Sequence, residues 1–141
     1  MLPSLLDSST LPVLEQVVNF AQSRHGVLAG NIANIDTPGY KTRDLSPEKF
    51  QESLKQALET RRTGTHVSPG ISAARGRSEQ MDAFRDVRDA TKHELYHDES
   101  DVSLESQVTE IAKNQGMHNM AISLMSAQFR LLQAAISERV A

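Results

Sequence analysis

The chain has 141 residues, of which 38% are apolar and 4% aromatic, and it contains no tryptophan. A core this poor in large side chains predicts one domain that is either elongated or completed by other chains. A formal charge of −3 disfavours nucleic acid as a partner, and the absence of cysteine excludes disulfides, a cysteine nucleophile and thiolate metal sites. We expect no cofactor.

The N-terminal 20 residues, although fairly apolar, do not have the pattern of a cleaved signal. Their first basic neighbour is Arg24, and no small-residue cleavage site follows a continuous apolar run. No segment approaches the roughly 18 uninterrupted apolar residues of a membrane span. We therefore expect no membrane insertion, and export only by a route that leaves the chain uncleaved.

The first strong pattern is a heptad repeat that predicts an N-terminal helix. Its members are Leu14, Val18, Ala21, His25, Leu28, Ile32 and Ile35. The helix should end near Asp36, because Pro38 disfavours the α conformation at Thr37. The sequence Thr37-Pro38-Gly39-Tyr40 is typical of a type II turn, with proline second and glycine third.

The middle of the chain is less regular. A short amphipathic helix is predicted from Pro47 to about Thr60, with Phe50, Leu54 and Leu58 on its apolar face. Residues 61–78 combine glycine, serine and proline with four arginines and no acid. Without interleaved aromatic residues, a mobile basic loop is favoured over a nucleic-acid site. Helical composition returns over residues 79–96.

The C-terminal segment carries the longest heptad repeat. Its members are Leu104, Val108, Ile111, Gln115, His118, Ile122, Met125, Phe129, Leu132 and Ile136. Ser103 is a predicted N-cap, and Glu105 suits the positive end of the helix dipole. A second apolar row on the same helix comprises Met117, Met120, Ala121, Leu124, Leu131 and Ala135. One partner helix needs only one stripe, so two rows predict contacts with other subunits.

The sequence His93-Glu94-Leu95-Tyr96-His97 is a literal HExxH motif. On a helix, His93 and His97 would face one side and could bind zinc, with Glu94 as a general base. The acidic residues that follow, Asp98 and Glu99, indicate a solvated segment instead. A zinc-dependent hydrolase therefore remains only an alternative, and we expect no metal site and no catalytic residues.

Four polar residues on the terminal helices have two interpretations each. His25 and His118 fall on the repeats and could act as pH-sensitive interface groups. In the alternative interpretation, Gln115 and His118 are polar positions that set the register. The register interpretation is favoured. Asn31 and Asn34 lie three residues apart and could bind backbone or a neighbouring subunit, or could cap the helix C-terminus.

The residues 28–45, LAGNIANIDTPGYKTRDL, resemble the N-terminal signature of the flagellar axial proteins, the family of rod, hook and hook-associated proteins. The residues that carry the motif are Asn31, Ile32, Ala33, Asn34, Thr37, Pro38, Gly39, Tyr40 and Lys41. Residues 102–105 (VSLE) and 111–115 (IAKNQ) are similar to the start of the C-terminal helix of proximal rod members. Gly30 and Ser103 depart from the residues usual in the family.

The resemblance implies an all-α fold whose long N- and C-terminal helices pair as a coiled-coil-like unit around an irregular central segment with short helices. It divides the chain into an N-terminal assembly helix and turn (1–45), a variable, partly flexible middle (46–101) and a C-terminal assembly helix (102–141). The implied function is that of a structural, non-enzymatic subunit of the proximal flagellar rod. A soluble helical export adaptor is a further alternative.

The resemblance also implies partners and a location. Family members form a hollow tube across the periplasm and reach it uncleaved through the type III export apparatus. The implied neighbours are a FliE-type junction protein and the MS ring below, and rod proteins of the FlgC, FlgF and FlgG types above. We expect the apolar members of the two repeats to form the subunit interface: Leu14, Val18, Ala21, Leu28, Ile32, Ile35, Leu104, Val108, Ile111, Ile122, Met125, Phe129, Leu132 and Ile136.

Overall fold

A computed structural model describes residues 10–64, 87 and 103–138 of the chain. Within these residues there are three helices and no strand: α1 (Leu11–Ala33), α2 (Pro47–Gly64) and α3 (Leu104–Glu138). The two terminal helices pack against each other. The all-α fold with paired long terminal helices, predicted from the heptad repeats and the family resemblance, is therefore confirmed.

The helix α1 begins with Pro12 in its first turn, where a proline costs no hydrogen bond. It ends at Ala33, about one turn before the predicted end near Asp36. Asn34 ends it: its side-chain amide donates to the Gly30 carbonyl oxygen at 2.8 Å, and its backbone N–H lies 3.2 Å from the same oxygen. The interpretation of Asn34 as a C-terminal cap is thus confirmed.

The turn that follows α1 is the predicted type II turn. The Tyr40 N–H donates to the Thr37 carbonyl oxygen at 3.1 Å, and Gly39 has a φ of +76°. Residues with a Cβ rarely adopt so positive a φ, so the third position of this turn favours glycine.

The helix α2 starts at Pro47 after Ser46, whose Oγ accepts a hydrogen bond from the Lys49 N–H at 3.3 Å. It runs to Gly64, so the prediction that a loop begins at residue 61 was wrong. Arginine is a good helix former, and glycine is the residue that most often ends a helix. Phe50 is buried as predicted. Residues 65–78 of the expected loop, and all but Val87 of the expected helix over 79–96, lie outside the described residues.

The chain divides into two compact units, one formed by residues 1–40 and 100–141 and the other by residues 41–99. The first unit contains α1 and α3, and the second contains α2. In the second unit the apolar side chains of Leu45, Phe50, Ala57 and Val87 are buried. The functional division at residues 45 and 101 stays a prediction.

The helix α3 starts where the sequence predicts. The Ser103 Oγ accepts a hydrogen bond from the Glu105 N–H at 3.2 Å, which confirms Ser103 as the N-cap. With 35 residues against the 23 of α1, α3 is about 52 Å long and α1 about 34 Å. None of the described helices has a segment apolar and long enough to cross a membrane.

Candidate functional surface on the terminal helices

Three polar contacts between α1 and α3, two between side chains and one from a side chain to the backbone, define how the two helices run. They are Asn31 Nδ2 to Gln107 Oε1 at 3.1 Å, Arg24 to Glu110 Oε2 at 2.9 Å, and Asn114 Nδ2 to the Ala21 carbonyl oxygen at 2.7 Å. From the first of these contacts to the last, the residue on α1 shifts towards the N-terminus while the residue on α3 shifts towards the C-terminus. The two helices are therefore antiparallel.

The surface along which the helices meet is unusually polar. Apolar packing there comes chiefly from Phe20, Ala21, Leu28 and Ala121, all of them buried. Between them lies a group of buried polar side chains, which we call the polar seam; it consists of Gln16, Arg24, Asn31, Gln107 and Asn114. Buried polar groups are tolerated when they are hydrogen-bonded, and most of these are bonded across the helix pair.

The charged part of the polar seam is the pair formed by Arg24 and Glu110. Their side chains are 6% and 29% exposed, whereas Lys113, which binds Glu110 at 2.7 Å from its own helix, is 65% exposed. Hydrogen bonds from Lys113 and then from Arg24 hold the pKa of Glu110 below its ordinary value of 4.5. Arg24 is therefore the more buried of the two cations that bind this carboxylate, and its contact with Glu110 is the less screened by water.

Asn31, the first asparagine of the turn motif, joins three segments. It is 1% exposed, donates to Gln107 on α3, and accepts a hydrogen bond from the Tyr40 hydroxyl at 3.2 Å. The partners considered for Asn31 from the sequence were backbone, a neighbouring subunit and the helix C-terminus; the structure instead pairs its amide nitrogen with a side chain of the other terminal helix. Tyr40 is half-buried and connects the turn to this contact.

The heptad row predicted on α3 is not the row that faces α1. The buried positions Gln107, Asn114 and Ala121 are spaced seven residues apart on a different row. Five apolar members of the predicted row are exposed, and we call them the first stripe: Leu104, Val108, Ile122, Phe129 and Ile136. The physical reason is that α1 presents Arg24 and Asn31 to its partner, and these side chains need polar groups opposite them.

The rest of the predicted row on α3 is partly covered. Ile111, Met125 and Leu132 are half-buried. The prediction that Gln115 and His118 sit in the helix pair as polar register positions was wrong for Gln115, which is exposed and bonds to Asn119 on its own helix. His118 is half-buried, and its Nδ1 atom is buried without a hydrogen-bond partner.

On α1, too, the predicted row lies to one side of the contact surface. Ala21 and Leu28 are buried, whereas four other members are half-buried and His25 is exposed. The half-buried members are Leu14, Val18, Ile32 and Ile35. Arg24, which was missed from the sequence, lies seven residues from Asn31, and Gln107 and Asn114 are also seven apart. That shared polar spacing is the signal that could have located the seam.

Of the second apolar row predicted on α3, Ala121 is buried in the row that faces α1, and the larger members lie on the other side of that row from the first stripe. The large exposed members of this second row, which we call the second stripe, are Met120, Leu124 and Leu131. At about 100° per residue, Ile122 of the first stripe and Leu124 of the second stripe lie about 80° to either side of Asn114. The helix thus pairs with α1 through a polar row and exposes an apolar row on each flank.

The residues of the possible zinc site, His93, Glu94 and His97, lie outside the described residues. Among the residues that the structure describes, no three histidine or carboxylate side chains are grouped so that they could hold a metal ion.

The comparisons with known proteins point in one direction. A family model described as "Flagella basal body rod protein" matches residues 19–41, which span most of α1 and the turn. The chain is 30% identical to the flagellar basal body rod protein FlgB of Aquifex aeolicus, over 89% of this chain and 90% of that protein. No solved structure matches the chain.

Other relatives give the same result. The FlgB protein of Escherichia coli K12 is 29% identical over 82% of this chain and 84% of its own length. That of Bacillus subtilis is 25% identical over 94% of this chain and 96% of its own length. The similarity therefore extends over both terminal helices and the middle.

Proposed function

The chain belongs to the FlgB family of flagellar basal body rod proteins, and we propose that, as a structural subunit of the rod, it polymerises through the two apolar stripes of α3. The observation that carries this proposal is the distribution of side chains on that helix. Eight large apolar residues are between 43% and 66% exposed, while the row that faces α1 is polar. Contiguous exposed apolar surface of this kind marks interaction sites.

The energetic reason is straightforward. Complete burial of a large apolar side chain contributes about 1.5–3 kcal/mol, so covering one that is half exposed contributes about 1 kcal/mol. Eight such side chains on one helix provide enough free energy for association, and it is gained only when neighbouring subunits cover them. Assembly thus adds to the stability that the helix pair has within one chain.

Two stripes on opposite flanks also determine the number of neighbours. A single partner helix covers an arc of about 100° on a helix surface. The stripes lie about 160° apart around α3, with the polar seam and α1 between them. Each stripe therefore takes a different neighbour, which is the arrangement needed for a closed or helical array.

The location and partners follow from the same assignment. The protein resides in the basal body and associates with other components of it. We infer that it forms the proximal rod, as part of a hollow shaft across the periplasm that the chain reaches uncleaved through the type III export apparatus. On this proposal a FliE-type junction protein and the MS ring lie below it, and FlgC-, FlgF- and FlgG-type rod proteins lie above it.

The proposal is tested by complementing a strain that lacks the gene and imaging rods, hooks and filaments. Phe129→Asp alters the first stripe, Leu131→Asp the second stripe, and Ser123→Asp is the matched control on the outer face of the same helix. All three positions are exposed within the chain, so the helix pair should remain folded. An aspartate at either stripe would be buried without a partner in the assembly.

We expect Ser123→Asp to restore flagella, and Phe129→Asp and Leu131→Asp to fail although each protein is produced at normal levels. His93→Ala, which removes the HExxH motif, should restore flagella fully. Normal filaments with Phe129→Asp and Leu131→Asp would rule out the stripes as interfaces. Filaments in the strain without the gene would overturn the rod function itself.

A further inference from the structure

Helix α1 could pack on any of three rows of α3: the row that carries Gln107 and Asn114 of the polar seam, the first stripe or the second stripe. Apolar attraction has no direction, so by itself it would favour the stripes, where more apolar surface is available. We propose that the polar seam specifies both the row and the register in which α1 packs on α3, and thereby leaves both stripes exposed.

The first argument concerns the choice of row. Arg24 and Asn31 are 5% and 1% exposed, and both have polar partners on α3. If α1 packed on either stripe, these two side chains would be buried against leucine, isoleucine or phenylalanine. A buried guanidinium that loses its carboxylate and a buried amide that loses its partner on α3 are both unfavourable. The polar residues of α1 therefore exclude the more apolar rows.

The second argument concerns register. A slip of one heptad keeps the same faces together, so apolar residues alone would barely resist it. Sliding α1 by seven residues would place Arg24 opposite Met117 instead of Glu110, and Asn31 opposite Asn114 instead of Gln107. The buried guanidinium would lose its contact with the Glu110 carboxylate, which is 2.9 Å away in the observed register. Hydrogen bonds are short-ranged and directional, so only one register satisfies all of them together.

The third argument is the double role of Asn31. Its amide nitrogen donates to Gln107, and its amide oxygen accepts from the Tyr40 hydroxyl. A slipped helix pair would break the first bond, while the turn that carries Tyr40 would still move with α1. Asn31 therefore couples the register of the helix pair to the turn that follows α1.

The experiment measures the distance between two spin labels on the full-length protein by double electron–electron resonance. Labels are attached at Gln22→Cys on α1 and Gln133→Cys on α3; both positions are exposed, and the chain has no cysteine of its own. A slip of one heptad moves the labels by about 10 Å along the helix axis. Circular dichroism on the same samples records helix content.

The test variant is Asn31→Leu combined with Gln107→Leu, which replaces the buried amide pair with apolar groups of similar size. The matched control is Gln115→Leu combined with Asn119→Leu, a pair with the same residue types and a 3.0 Å hydrogen bond, but exposed and on α3 alone. We expect one narrow distance for the parent and the control. The test variant should keep its helix content and gain a second distance, or a broad distribution.

Three results would overturn the proposal. A single unchanged distance in the test variant would mean that the amide pair does not determine the register. Loss of helix content in that variant would mean that the pair supplies pairing stability instead. A broad distribution in the parent would mean that the seam does not hold one register. Because the measurement is made within one chain, its outcome is independent of whether the stripes serve as rod interfaces.

Discussion

The ion pair between Arg24 and Glu110 allows a quantitative test of how the helix pair is held together. The two side chains differ in exposure, at 6% for Arg24 and 29% for Glu110, so removing one partner is not equivalent to removing the other. Glu110→Ala leaves a buried guanidinium without its carboxylate. Arg24→Met leaves a carboxylate that water and Lys113 can still reach.

The magnitudes follow from these exposures. Removing one partner of a fully buried pair costs about 3–5 kcal/mol, and a hydrogen bond to a charged group contributes about 1.5–3 kcal/mol. Since some water reaches this pair, we expect Glu110→Ala to cost about 2–3 kcal/mol and Arg24→Met about 1 kcal/mol. In Arg24→Met, the further change Glu110→Ala should cost little, because the buried charge is already gone.

The assay is urea unfolding of the full-length chain, followed by far-ultraviolet circular dichroism, for the two single variants and the double variant. Lys113→Ala is the control, because its contact with Glu110 is exposed and should contribute about 0.5 kcal/mol or less. If Glu110→Ala costs no more than Lys113→Ala, the buried pair does not stabilise the helix pair, and the reasoning from burial is refuted.

Three further predictions use the same unfolding measurement. Gly39→Ala should destabilise by about 1–2 kcal/mol from backbone strain alone, since φ is +76° and no atom lies within 4 Å of an added Cβ; no loss would contradict the left-handed turn. Ser103→Ala should cost about 1 kcal/mol through loss of the N-cap, and Ser103→Asp should restore it, whereas equal stability of all three would exclude the cap. The lowered pKa of Glu110 means that its contribution is complete above the ordinary value of 4.5 and is lost as the pH falls through the lower folded-state value. As the pH is lowered, the free energy of unfolding should therefore fall less in Glu110→Gln than in the parent. Identical pH profiles of the two proteins would contradict this linkage.

Local features of the fold were predictable from the sequence because their causes are local. The type II turn depends on the order of proline and glycine at residues 38 and 39. The start of α3 depends on the Ser103 hydroxyl, which reaches a backbone N–H two residues later. The existence of the long terminal helices followed from their heptad repeats, and the flagellar family followed from the motif at residues 31–41.

The choice of contact surface was decided only in the tertiary structure. Periodicity predicted that the most apolar row of α3 faces its partner helix, but α1 packs on the neighbouring row that carries Gln107 and Asn114. The reason is that the free energy of burying a polar side chain depends on which side chains lie opposite it. Arg24 beside Glu110 is compatible with burial, whereas Arg24 beside Phe129 would not be. The sequence by itself determined which rows of each helix are apolar; pairing between distant segments decided which row is buried within the chain and which rows stay exposed.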